Sequence, residues 1–172
     1  MKEITSYAEA AAYVATRYVF NEENYPIWKK LSAEEKKVFS IAHCLLNIQK
    51  VMYTFLTESE KMLYDMPVPL NYTLVESSAV LMINIFKISD ILKTKLEDHS
   101  RVWNWKDEYK DSLQYIGNIA IECERFNRKG TFSNKNALTA LHTLWGQFLS
   151  IANHERFRDF RPELFKVITI LV

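Results

Sequence analysis

The chain has 172 residues, 48% of them apolar, with 22 basic and 21 acidic side chains for a net charge of +1, and only three glycines and four prolines. That apolar share excludes a disordered chain, and the length suits a single domain, residues 1–172, that buries about 70% of its unfolded surface. The charge balance gives no sign of a polyelectrolyte face for nucleic acid or membrane, and the scarcity of glycine and proline favours long helices.

Ser6-Tyr-Ala-Glu9 reads as a capping box opening a helix to about Phe20, with Tyr7, Ala10, Ala11, Val14 and Tyr18 on one face. Asn21–Asn24 reads as a polar turn, and Pro26 as the first residue of a short helix. A second capping box, Ser32-Ala-Glu-Glu35, opens a long helix. Val38, Ile41, Leu45, Ile48, Met52 and Phe55 follow at alternating spacings of three and four, which marks bundle packing. Thr57–Glu60 either continues this helix to Tyr64 or restarts it after a kink, and Met66–Pro69 ends it.

Leu74–Leu96 is the centre of the sequence. Leu74, Leu81, Ile85, Ile88 and Leu92 form one helical row, and Val75, Ala79, Met82, Ile83 and Phe86 widen it past half the circumference. A surface helix has a narrower stripe, so this one is expected inside the bundle, capped by Asn71 or Thr73. Its longest uncharged run, Ser77–Phe86, is well short of the roughly 20 residues a bilayer requires.

Downstream, Asp98–Ser100 reads as a turn. A helix then carries Asp107, Glu108 and Asp111 in its first turn and Tyr109, Leu113, Ile116, Ala120 and Cys123 as its apolar row. Gly130 is the expected terminator, and Ser133 or Asn134 starts a last long helix with Leu138, Leu141, Trp145, Phe148 and Ala152 inward. An Arg- and Phe-rich connection, Arg156–Pro162, leads to the apolar segment Leu164–Val172. That segment is expected as a helix docked on its own bundle, the alternative being a β-strand added to a partner. The fold class expected is all-α: one bundle of five to seven helices around the apolar helix at about 74–96.

Motifs that carry chemistry are sparse. His43, His99, His142 and His154 show none of the paired spacings of metal sites. His43 shares a row with Ser40, Asn47, Lys50 and Thr54, which reads as a solvated face, and His142 lies beside Leu138, Leu141 and Trp145, as a partly buried, hydrogen-bonded histidine would. Cys44 and Cys123 read as buried thiols of a reducing compartment. No glycine-rich phosphate loop or nucleophile elbow occurs.

Two functional expectations follow. The first is a non-enzymatic cytoplasmic protein that acts by binding other protein chains or copies of itself. It would be an assembly component, adaptor or inhibitor of phage or mobile-element origin, without cofactor, metal or membrane anchorage. Four Trp, nine Tyr and ten Phe motivate it, aromatic residues being favoured at interfaces. Trp28, Trp103 and Trp105 near helix starts, Arg156, Phe157, Arg158, Phe160 and Arg161 in the connection, and Ile170, Leu171 and Val172 are the candidate contact residues. The arginines are expected to be neutralised by Glu155, Asp159 and Glu163, which argues against nucleic acid. The second expectation uses scattered carboxylates, Glu76, Glu108, Asp111 and Glu122. Small helical nucleotide hydrolases of the MazG and dimeric dUTPase type hold magnesium through paired ExxE and ExxD motifs. The chain resembles them in architecture alone, and the resemblance would imply a magnesium-dependent nucleotide pyrophosphohydrolase.

Overall fold

The computed structural model describes residues 3–64, 71–96 and 105–172, the side chains of 63 and 105–110 excepted. Six α-helices follow in order: α1 (Tyr7–Arg17), α2 (Ala33–Tyr64), α3 (Tyr72–Ile91), α4 (Trp105–Lys129), α5 (Asn134–Ala152) and α6 (Arg161–Leu171). Short 3-10 turns at Pro26–Lys30 and Glu155–Phe160 join α1 to α2 and α5 to α6, and no strand occurs among the described residues. One buried cluster runs through all six helices.

The helix starts are set by side chains that satisfy orphan backbone N–H groups. Ser6 Oγ accepts from Glu9 N at 3.2 Å, and Asn71 Oδ1 accepts from Leu74 N at 3.1 Å. At Ser32 the capping box is complete: Glu35 N donates to Ser32 Oγ at 3.2 Å and Ser32 N donates to Glu35 Oε2 at 2.7 Å. These bonds hold the Glu35 carboxyl below its ordinary range. Asn71 also donates to Glu58 Oε2 at 2.5 Å, tying the start of α3 to the last turns of α2. The α2 helix runs 32 residues without interruption through Thr57–Glu60, so the continuation is the form adopted.

α3 is buried all round, with fourteen of its twenty residues inside, and it packs along α2 and against α1, α5 and α6. It is shorter than the apolar pattern suggests. Lys93 takes a left-handed φ of 52°, Lys93 N donates to Asp90 O at 3.1 Å, and Thr94 N donates to Ser89 O at 3.0 Å. This paired closure ends the helix at Ile91 and leaves Leu92 and Leu96 beyond it, packed on the core from outside the helix.

α4 is turned slightly from its expected row. Ser112, Ile116, Ile119 and Cys123 face inward while Leu113 is exposed, because Ser112 Oγ donates to Gln147 Oε1 of α5 at 2.7 Å and so belongs inside. Gly130, at φ 68°, ends α4, and Ser133 caps α5. The C-terminal segment is helical. Leu164, Phe165 and Ile168 of α6 are buried, chiefly against α3.

Candidate functional site

The site is built on two polar rows that meet between helices. In α3, Asn84 and Lys87 are three residues apart and both buried, and facing them on α2 stand Ser40, His43, Cys44 and Asn47. Asn47 Nδ2 donates to Asn84 Oδ1 at 3.4 Å, and Asn84 Nδ2 donates to Val80 O at 2.7 Å. The row holding His43 is therefore not the solvated face that its composition suggests. Ser40 is buried, and the imidazole is half-buried.

The segment between α1 and α2 encloses this seam. Tyr25 N donates to Asn21 O at 3.0 Å, closing the turn, and Phe20 then packs against Tyr18, Tyr25, Trp28 and His43 at centroid distances of 5.2, 5.4, 5.8 and 5.6 Å. Tyr25 and Trp28 also meet Phe39 edge-on. The hydroxyls of Tyr18 and Tyr25 lie 3.4 Å apart, and Tyr25 Oη lies 3.1 Å from His43 Nε2. Part of the aromatic surplus thus forms a half-buried cluster, and Trp28 belongs to it.

Lys87 lies under this cluster. It is only 7% exposed, and its Nζ stands 2.9 Å from the centre of the Tyr18 ring. Among the described residues no carboxylate pairs with it and no acceptor takes its protons. Asp90, one turn on, pairs instead with Lys93 at 3.3 Å. Burial lowers the Lys87 amine from 10.5 to about 8. Cys44 supplies no counter-charge, because burial pushes its thiol up to about 12 and keeps it protonated. The Tyr18 phenol is raised by burial and its bond to Tyr25. His43 is lowered, by burial first and then by Lys87 and Lys50, so it stays neutral beside the amine.

Lys87 lines a cleft of about 260 Å³ together with Val14, Tyr18, Phe20, Trp28, Ser40 and Ile91, with Asp90 also at its wall. A second cleft of about 350 Å³ shares Ala15 and Asp90 with it and runs along Ala8, Ala11 and Ala12 of α1 toward Trp145. The small side chains of α1 leave this space open. A lysine in the middle of an otherwise apolar helix, three residues from an asparagine, is the signal by which the sequence marks the site. Matching it to the Ser40, His43 and Asn47 row of α2 would have found the seam, since polar groups in a buried helix require partners.

Trp28 apart, the residues singled out in the sequence that lie among the described ones are placed elsewhere. Phe157 and Phe160 are buried in the core and offer no contact surface. Arg156 donates to Met62 O at 3.0 Å, and Arg161 donates to Ala152 O and Asn153 Oδ1, each at 3.2 Å. Backbone carbonyls near helix C-termini therefore receive Arg156 and Arg161, an arrangement favoured by the helix dipole. Arg158, Ile170 and Leu171 are exposed and Val172 is half-buried against the core. Trp103 and the side chain of Trp105 lie outside the described residues, as does that of Glu108.

Of the other carboxylates, Glu76 is exposed, and buried Glu122 is fully engaged. It accepts from Ser133 N at 3.1 Å, Asn136 Nδ2 at 3.0 Å and Arg125 at 2.8 Å, bracing the α4–α5 turn. Among the described residues no three His, Cys, Asp or Glu side chains converge to hold a metal ion. Thr94 Oγ1 lies 3.0 Å from Nε2 of the half-buried His142. Among the described residues, no helix is long and apolar enough to cross a membrane. No family model, curated protein or solved structure matches the chain.

Proposed function

We propose that this protein binds a small molecule in the cleft over Lys87. The observation that carries the reading is a lysine whose side chain is almost wholly buried, without a counter-charge among the described residues, on a cleft with aromatic walls. Drawing an unpaired ion out of most of its water costs stability, and a cation–π contact returns only about 2 kcal/mol. A group held at such a cost, in a cleft with few polar groups, is the usual mark of a binding site. A fragment library screened by NMR on the full chain tests it. Hits should move the amide signals of residues 14–20, 28, 40 and 87–91 together. Hits that move only other signals, or a screen without hits, contradict it.

A second reading is that the protein works in the cytoplasm through protein–protein contacts or self-association. It rests on Leu46 and Tyr53, 51% and 70% exposed and seven residues apart on the outer side of α2. Light scattering of the wild type beside a Leu46→Glu, Tyr53→Glu variant tests self-association. A stable oligomer lost in the variant supports it, and monomers in both leave no role for self-association.

A further inference from the structure

We infer that the ligand of the Lys87 cleft is a single-ring aromatic carboxylate carrying one negative charge. The inference rests on the small-molecule reading above and adds the chemistry of the ligand. Three features of the cleft select it.

The first is charge. Among the described residues Lys87 is the one cation lining the cleft and Asp90 the one carboxylate, and Asp90 is already paired with Lys93. The net charge left for a ligand to match is a single positive one. A dianion such as a phosphate monoester would bring one charge too many. The cleft is also formed by the last turns of α1 and α3, through Val14 and Ala15 and through Asp90 and Ile91. Helix C-termini carry the negative end of the dipole, so they disfavour a dianion further. Phosphate sites use helix N-termini and arginine forks, neither of which lines this cleft.

The second is shape. Phe20 and Trp28 are stacked with an interplanar angle of 20°, and the Tyr18 ring already carries the ammonium on its face. Flat aromatic walls accept a flat ring in offset or edge-to-face contact, while Val14 and Ile91 supply apolar surface. The third is size. At about 260 Å³ the cleft falls below the roughly 300–1,000 Å³ of sites for drug-sized ligands, which leaves room for one ring and its carboxylate.

Benzoate, benzamide and phenyl phosphate, titrated separately into the full chain and followed by NMR, test the assignment. Lys87→Met serves as the variant, and its fold is checked by the dispersion of its spectrum. Benzoate should bind at the cleft at least about tenfold tighter than benzamide, and Lys87→Met should remove that difference while benzamide binding persists. Lys87→Arg, which keeps the charge, should retain the preference for benzoate if the variant folds. Equal binding of benzoate and benzamide at the cleft would overturn the carboxylate assignment and leave the small-molecule reading standing. Tighter binding of phenyl phosphate would overturn the single charge. If none of the probes moves the cleft signals, the ligand assignment is overturned, and the fragment screen then decides the broader reading.

Discussion

The Lys87 ammonium lies 2.9 Å from the centre of the Tyr18 ring, and this contact joins the central helix to the segment that leaves α1. The ring's π face is the only attractive partner the amine has among the described residues, and Lys87 lines the cleft. Stability and binding are therefore in tension at one side chain. A fixed carboxylate would stabilise the fold, and its absence leaves the amine for a ligand.

That tension sets a pH dependence. The folded chain holds Lys87 at about 8 against an ordinary 10.5, so between these values the unfolded chain binds more protons. Stability from this group therefore rises with pH across the window, and its cost is fully present below about pH 8. Lys87→Met should stabilise the protein at pH 7 by about 1–3 kcal/mol, and the gain should vanish by about pH 10.5. Cys44 and Cys123, raised to about 12 and 11, act in the opposite direction above their ordinary pKa, but both chains carry them. Urea unfolding at the two pH values measures the difference, and a variant less stable than wild type at pH 7 contradicts the prediction.

His43→Ala should cost about 1–2 kcal/mol, from a lost hydrogen bond to Tyr25 and lost ring packing against Phe20. A solvated histidine would cost less than about 0.5 kcal/mol. Chemical denaturation of the two chains decides between these values.

Lys93→Gly should raise stability by about 1 kcal/mol, because a side chain at φ 52° is strained where glycine is not. At this chain length that corresponds to about 2–4 °C in melting temperature. The Asp90–Lys93 pair lost in the variant is exposed and contributes little. An unchanged or lower melting temperature would show that the left-handed turn stores no strain.

Ending the chain after Arg161 should lower the melting temperature by well over 5 °C. Leu164, Phe165 and Ile168 are lost, each contributing about 1.5–3 kcal/mol when buried. A truncated chain that keeps its stability but loses a complex would mark α6 as an interface.

The parts of the fold governed by local rules were legible in the sequence. Ser32 with Glu35, Asn71, Gly130 and Ser133 act within a few residues of themselves, and the apolar rows of α2 and α3 recur at helical spacing. The end of α3 was not legible, since Leu92 and Leu96 continue the apolar period while the backbone turns at Lys93 without a glycine to announce it. The cleft was hidden for a different reason. Tyr18 and Tyr25, His43, and Lys87 lie on three separate segments, and only tertiary packing makes the His43 row an inner one. The carbonyls that receive Arg156 and Arg161 likewise carry no signature in the side-chain sequence.

The central claim is that Lys87, its side chain almost wholly buried, has no counter-charge among the described residues and lines the proposed ligand cleft. Titration of its side-chain nitrogen by NMR in the ligand-free protein, with Lys87→Met to assign the signal, tests it most directly. The account predicts a midpoint of about 8. A midpoint at the ordinary lysine value near 10.5 would mean that the amine is solvated or paired, and would contradict it.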